Sequence, residues 1–201
     1  MSTEHSRPAT PRRRADAERN IARILDAAVD ALAEDADVSI AEVARRAGVV
    51  RATVYVHFPT REALLEAVTE RALAEVRRVI EAAEPGRGDP AEALARLVAA
   101  TWQTLGRYHG LIAITTSTHS HEELHARHEP VLGALQPLIE RGQADGSFRS
   151  DVPAAWHLGA LMALVHLASG EVRAGTVGEA DAEPALVETV LGAISTRTSA
   201  S

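Results

Sequence analysis

"ATVYVHFPTRE", Ala52 to Glu62, decides how the N-terminal part of the chain is read. Val54, Tyr55, Val56, His57 and Phe58 are β-formers, and apolar and polar residues alternate. Read alone, the stretch is a half-buried strand. A lone strand is not stable, however, and no other segment reads as its partner. Its neighbours are rich in Ala, Leu, Arg and Glu and read as helix. At 100° per residue, Val50, Val54 and Phe58 fall on one helical face and can pack on preceding helices. Pro59 ends the segment, because the residue before a proline disfavours helix. Thr60 is placed to cap the next helix, with Glu62 in its favourable first turn. The stretch is then a helix of about two turns, held by tertiary packing because it is too short to stand alone.

The segment before it is well specified. From about Asp16, Ile21, Ile24, Leu25, Ala28 and Leu32 form one helical stripe. "EDAD" (34–37) breaks it. Ser39 and Glu42 have capping-box spacing, with Val38 and Val43 placed as a hydrophobic staple. That helix runs through Ala47 and stops at Gly48, the expected left-handed residue. Opposite the core stripe of the following helix lie Ala52 and Val56. Thr53 and Tyr55 flank them, and Arg51 and His57 lie near the edges. A bare Val beside Tyr, His and Arg suits a DNA major groove. The methyls can meet thymine, and the polar groups can reach phosphates or base edges. Helix, glycine turn and second helix make a helix-turn-helix, with Val50–His57 as the recognition helix.

The run "SIAEVARRAGVVRATVYVHFPTREALLEAV" (39–68) resembles the DNA-binding segment of the tetracycline-repressor (TetR) family of bacterial transcriptional regulators. Ile40, Val43, Ala44, Ala47, Gly48, Val49, the "TVYVHF" run and Glu62-Ala63-Leu64-Leu65 carry the resemblance. It covers residues 16–68 well and the remainder loosely, notably "RGQADGSFRSDVPAAW" (141–156). Val50 stands where that family commonly has Ser or Thr, which removes a cap or phosphate contact. Val56 occupies a variable position, so the operator sequence is not readable. The resemblance implies a homodimer that represses transcription and is released by a small ligand in its C-terminal domain. It also implies DNA contacts from Ser39, Val50, Arg51, Ala52, Thr53, Tyr55, Val56, His57 and Arg61.

Composition agrees. The 201 residues are 46% hydrophobic, enough for one or two cored domains. There is no Cys, which excludes disulfides and thiolate metal sites and fits a reducing cytoplasm. No apolar run is long enough to span a bilayer. The net charge of -7 is uneven: +1 over residues 1–61 and -8 over residues 62–201, with every basic residue an Arg. An anionic partner should therefore meet the N-terminal part. Residues 1–15, with Arg7 and Arg12-Arg13-Arg14, read as a disordered basic arm, 16–60 as the DNA-binding head, and 61–201 as a helical ligand-binding and dimerisation domain.

In that larger part, a long helix is expected from Arg61 to Ala83. Inducer binding should tilt it and change the separation of two recognition helices. Asp89, Pro90 and Glu92 mark the next start as N-cap, N1 and N3, and that helix should end near Gly110. "LIAITTST" (111–118) is a short apolar segment. Pro130 and Pro137 should delay or kink the following helix. Asp151 can cap a helix from about Pro153 that is apolar almost all round and so should be buried. Gly159, Ala160 and Ala163 there permit close approach. The last helix carries Leu186, Val187, Val190, Leu191 and Ile194. These two helices from each of two chains can build a four-helix dimer interface. The inducer set is Trp102, Tyr108, Ile112, Thr116 and His119. One motif points elsewhere: "HEELH" (121–125) fits the zinc-protease H-E-x-x-H pattern. A third ligand is not evident. Glu140 lies too near, and His128 lacks the glycine of the extended motif. The expectation is an all-α, non-enzymatic regulator with no cofactor and no resident metal.

Overall fold

The computed structural model describes residues 11–196. Among the described residues nine α-helices and one short 3-10 turn succeed one another: α1 (Pro11–Glu34), α2 (Ile40–Ala47), α3 (Arg51–His57), α4 (Arg61–Ala82), α5 (Pro90–Leu105), the turn Gly106–Tyr108, α6 (His109–Thr118), α7 (His121–Ala144), α8 (Ala154–Ala174) and α9 (Glu179–Ile194). No strand occurs among the described residues; an isolated bridge pairs Phe148 with Ser195. The chain divides into two compact units, residues 1–68 and 69–201, and the boundary falls inside α4. The expected arm lies outside the described residues as far as Thr10. From Pro11 onward it is corrected, since the backbone of 11–15 is the first turn of α1. Proline is tolerated there, because the amide it lacks has no intrahelical partner anyway.

In residues 1–68, α1 packs on α2 and α2 on α3. Ile24, Ala28 and Leu32 of α1, Val43 and Ala47 of α2, Val54, Phe58, Leu64 and Val68 are all buried. Ser39 caps α2 by accepting from the Glu42 amide at 3.2 Å. The return half of the expected capping box is replaced. The Glu42 carboxylate instead accepts from Arg45 and Arg46, and Arg46 also donates to Glu34. At the other end Gly48 sits at φ +64°, where a Cβ is strained. Val49 N–H donates to the Ala44 carbonyl and Gly48 N–H to that of Arg45, the paired bonds of a Schellman stop. Arg23 of α1 reinforces the turn by donating to the Ala47 carbonyl at 2.5 Å.

In residues 69–201, α5 packs on α7 and α9, and α8 packs on α6, α7 and α9. The core joins Val76 and Ile80 of α4 to Leu94, Leu97 and Trp102 of α5, Leu135 and Ile139 of α7, Leu158 and Leu161 of α8, and Leu186 and Val190 of α9. Asp89 caps α5 as expected, accepting from the amides of Ala91 and Glu92. Other expectations are corrected. α5 ends at Leu105, and "LIAITTST" belongs to α6. α7 runs unbroken through Pro130 and Pro137 from His121, where Ser120 and Glu123 form a complete capping box. Both prolines are exposed, as are Ala126 and Gly133, whose carbonyls they leave without a donor, so water can take over. Pro153 rather than Asp151 precedes α8, because Asp151 is held by Arg149 in a two-point ion pair. α8 is only partly buried: Trp156 and Leu167 are 66% and 58% exposed. No helix among the described residues is long and apolar enough to cross a membrane.

Candidate nucleic-acid interface and ligand cavity

α3 is seven residues long and presents two unlike faces. Val54 is fully buried and Phe58 nearly so, while Val56 is 77% exposed and Tyr55 40%. Arg51 and Ala52 are exposed, and Thr53 and His57 are half-buried at the edges. Val50 departs from the expected core stripe at 70% exposure. It is the N-cap, with φ -73° and ψ 146°, so its backbone is extended and helical spacing starts only at Arg51. Its side chain makes no capping bond, as a valine cannot. Val50 and Val56 therefore join the outer face, and Val54 and Phe58 hold the inner one.

The polar groups on the outer face are ordered by one another. Arg51 Nη2 donates to the Tyr55 hydroxyl at 2.9 Å, and its guanidinium lies 5.3 Å from the Tyr55 ring centroid. The phenol keeps its own hydrogen to donate. Thr60 caps α4 by accepting from the Ala63 amide. Ser39, exposed at the start of α2, is engaged as its cap. Arg61 donates to the Ala36 carbonyl at 2.6 Å, which ties the start of α4 to the α1–α2 loop.

A cavity lies within residues 69–201, between α4, α5, α6, α7 and α8. Its volume is about 110 Å³, where one water needs roughly 10–15 Å³, so a small organic molecule fits. The wall is mostly aliphatic. Of the expected inducer set, Tyr108 and Ile112 line it and Trp102, Thr116 and His119 do not. Trp102 is buried against His109, with ring centroids 5.4 Å apart. Thr116 is exposed and donates back to the Ile112 carbonyl, and His119 is bonded to Thr118. Sequence reasoning missed Thr101, Thr115, Arg127, His128 and His166, which all reach the wall. His128 reads from the sequence as a neighbour of HEELH, and His166 as a polar residue inside an apolar run, so nothing in the sequence joins them.

Tyr108 donates from its hydroxyl to Glu75 Oε2 at 2.5 Å. Burial, then the Glu75 carboxylate, pushes its phenol up to about 12. His128 and His166 meet edge to face at 5.4 Å. Burial lowers both, and His128 lowers His166 further, to about 4, so both rings are neutral at pH 7. His128 Nδ1 faces the Leu124 carbonyl at 2.7 Å. A carbonyl can only accept, so Nδ1 carries the hydrogen and Nε2 keeps a lone pair. As for HEELH, it is the capped first turn of α7. Among the described residues no group of three or more His, Asp or Glu is placed to hold a metal ion.

Two family models match the chain, and together they span both units. Residues 24–68 match the bacterial regulatory proteins of the tetR family, and residues 89–195, more than half the chain, match the SbtR-like transcriptional regulator C-terminal domain. The chain belongs to the TetR family. A TetR transcription regulatory protein from Mycobacterium vanbaalenii is 30% identical, with a TM-score of 0.58 over 91% of this chain and 99% of that one. The TetR-like regulator LfrR from Mycobacterium smegmatis, crystallised in complex with proflavine, shares the fold: TM-score 0.71, 24% identity, 90% of this chain and 98% of that one. The transcriptional repressor NicS from Pseudomonas putida is 33% identical over 107 residues, 49% of this chain and 50% of that protein. TetR-family members are transcriptional regulators and not enzymes, so the protease alternative drawn from HEELH is set aside.

Proposed function

We propose that this TetR-family chain is a dimeric cytoplasmic repressor. It binds operator DNA through α3 and is released when a small-molecule inducer fills the cavity. The outer face of α3 carries the reading: two bare valines, Val50 and Val56, beside Tyr55 and Arg51, on a helix whose other face is buried. Small apolar groups in that setting meet thymine methyls, and Tyr55, Arg51, Thr53 and His57 meet phosphates or base edges. Ala52 gives room for close approach, and Ser39 and Arg61 flank the groove as phosphate contacts. Trp156, Ala163 and Leu167 leave one side of α8 apolar and exposed, which suits a second copy of the chain. Binding is coupled to release if inducer and DNA favour different placements of α4, the helix that runs from one unit into the other. The test is selection of bound duplexes from a randomised DNA pool by the ligand-free protein. An enriched inverted repeat, with half-sites about one helical turn (~34–36 Å) apart, is expected. Recovery of no repeat, or equal enrichment by a Tyr55→Ala, Val56→Glu double variant, would overturn the reading.

A further inference from the structure

Thr101, on the cavity wall, leaves unmade a bond that other helix threonines make. Thr104, Thr115, Thr116, Thr118 and Thr189 each donate to the carbonyl four residues back, at 2.7–3.1 Å. Thr101 Oγ1 is buried and has no hydrogen-bond partner within the protein. A buried hydroxyl without a partner is unfavourable, and a group entering the cavity can supply one. The polar groups that share the wall have spent their hydrogens. Tyr108 gives its own to Glu75, Thr115 to the Leu111 carbonyl, and His128 Nδ1 to the Leu124 carbonyl. What these three have left are lone pairs. The wall is also close to uncharged. Burial keeps His128 and His166 neutral at pH 7. The guanidinium of Arg127 acts on the Glu123 carboxylate, one turn back on α7, and no acidic side chain is among the described lining residues. A cation would have no counter-charge here, and an anion would have to compete with Glu123 for Arg127. Either would leave water for a mostly aliphatic wall.

We propose that the inducer is an uncharged aliphatic alcohol, its hydroxyl bonded to Thr101 and its hydrocarbon body laid along the aliphatic wall. This rests on the reading of the cavity as the inducer site. A hydroxyl is the group that uses both kinds of capacity the wall offers. Its oxygen accepts the unspent hydrogen of Thr101, and its own hydrogen goes to a wall lone pair. An ether or a ketone can do only the first. The hydrocarbon body meets Val76 and Ile80 of α4, Leu97 of α5, and Val131 and Leu135 of α7, where water leaves apolar surface on binding.

The test titrates the full protein, by calorimetry, with probes of equal carbon count: octan-1-ol, its isomer 1-methoxyheptane, octanoate and octylammonium. Octan-1-ol should bind roughly fivefold tighter than the ether, the effect of one hydrogen bond. It should bind about tenfold or more tighter than either ion, because both ions lose hydration in an apolar wall. Thr101→Val should lower octan-1-ol affinity roughly fivefold, with a melting temperature equal to or above that of the wild type, since a buried hydroxyl without a partner is removed. Thr101→Ser keeps the hydroxyl and should keep the affinity. The assignment is overturned by an ether or an ion that binds as tightly as the alcohol, by an octan-1-ol affinity that Thr101→Val leaves unchanged, or by no binding of octan-1-ol. Two readouts on DNA keep this apart from the regulator reading. Thr101-dependent binding of octan-1-ol that does not loosen the selected duplex leaves an alcohol site and sinks its role as the inducer site. No enrichment of any duplex by ligand-free protein sinks the regulator reading whatever the probes show.

Discussion

Val54 and Val56 are two residues apart and meet opposite environments, one sealed in the core and the other 77% exposed. A strand would have put them on the same face together with Phe58. Substitutions therefore separate two roles within one short helix. Phe58→Ala should lower stability by roughly 3–5 kcal/mol, the cost of emptying a buried aromatic site, measured by thermal or denaturant unfolding. Val56→Ala should leave the melting temperature unchanged and alter the rank order of selected duplexes, because it removes an apolar base contact. If Val56→Ala destabilised the fold as Phe58→Ala does, α3 would have no free face to offer DNA. Tyr55→Phe removes both the hydroxyl and the acceptor that holds Arg51. It should weaken binding to the selected duplex by roughly 1.5–3 kcal/mol with no loss of fold. The one residue misplaced by helical spacing is Val50. Periodicity assumes helical φ and ψ, and an N-cap residue has neither.

Single elements show where local rules suffice. α2 carries its own start and stop in Ser39 and Gly48, and both act as their types require. Gly48→Ala should cost roughly 1–2 kcal/mol, because the left-handed conformation crowds a Cβ. The added Cβ would also come within 2.7 Å of Arg23 Nη2, so that side chain must shift. Glu42 adds a pH-dependent contribution. Arg45 and then Arg46 hold its carboxylate down from 4.5 to about 2. A depressed carboxylate stabilises the fold above the ordinary range, and that stability is lost as pH falls toward about 2. Glu42→Gln should therefore be less stable than the wild type near pH 6, with the gap closing near pH 2 in acid-unfolding curves. α7 shows the opposite limit. Two prolines argued against a continuous helix, yet each lies on the exposed side, where water replaces the lost bond.

At the scale of the whole molecule, two expectations concern how units assemble and how the cavity titrates. Leu167 is 58% exposed on α8, an unfavourable place for a leucine in a lone chain. Leu167→Arg should shift sedimentation from dimer to monomer at micromolar concentration and abolish binding to the inverted repeat, while far-ultraviolet circular dichroism is kept. A dimer that persists in this variant would place the interface elsewhere. The His128–His166 pair makes stability depend on acid. Burial, then His128, lowers His166 from 6.5 to about 4. The unfolded chain thus binds protons first, so stability is full above pH 6.5 and falls as the pH drops toward about 4. His166→Leu should flatten that decline in melting temperature between pH 7 and pH 4.5.

The division between what was legible and what was not follows the range of the forces. The sequence alone determines the helical class, the α2 stop, the Asp89 cap and the inner and outer faces of α3. Each depends on dihedral preferences, capping bonds or spacing within about a turn, all written in neighbouring residues. It also carries the TetR resemblance, because the helix-turn-helix is one continuous run. The cavity is different. Tyr108, Arg127, His128 and His166 come from two helices and a turn, and only packing brings them to one wall. Trp102 has the right composition for a ligand contact, yet the rotation of α5 buries it against His109 instead. Which side of a helix faces a cavity rather than core is set by a few tens of degrees of that rotation. Those degrees are decided by the shapes of all the packed side chains together, and tertiary structure alone records them.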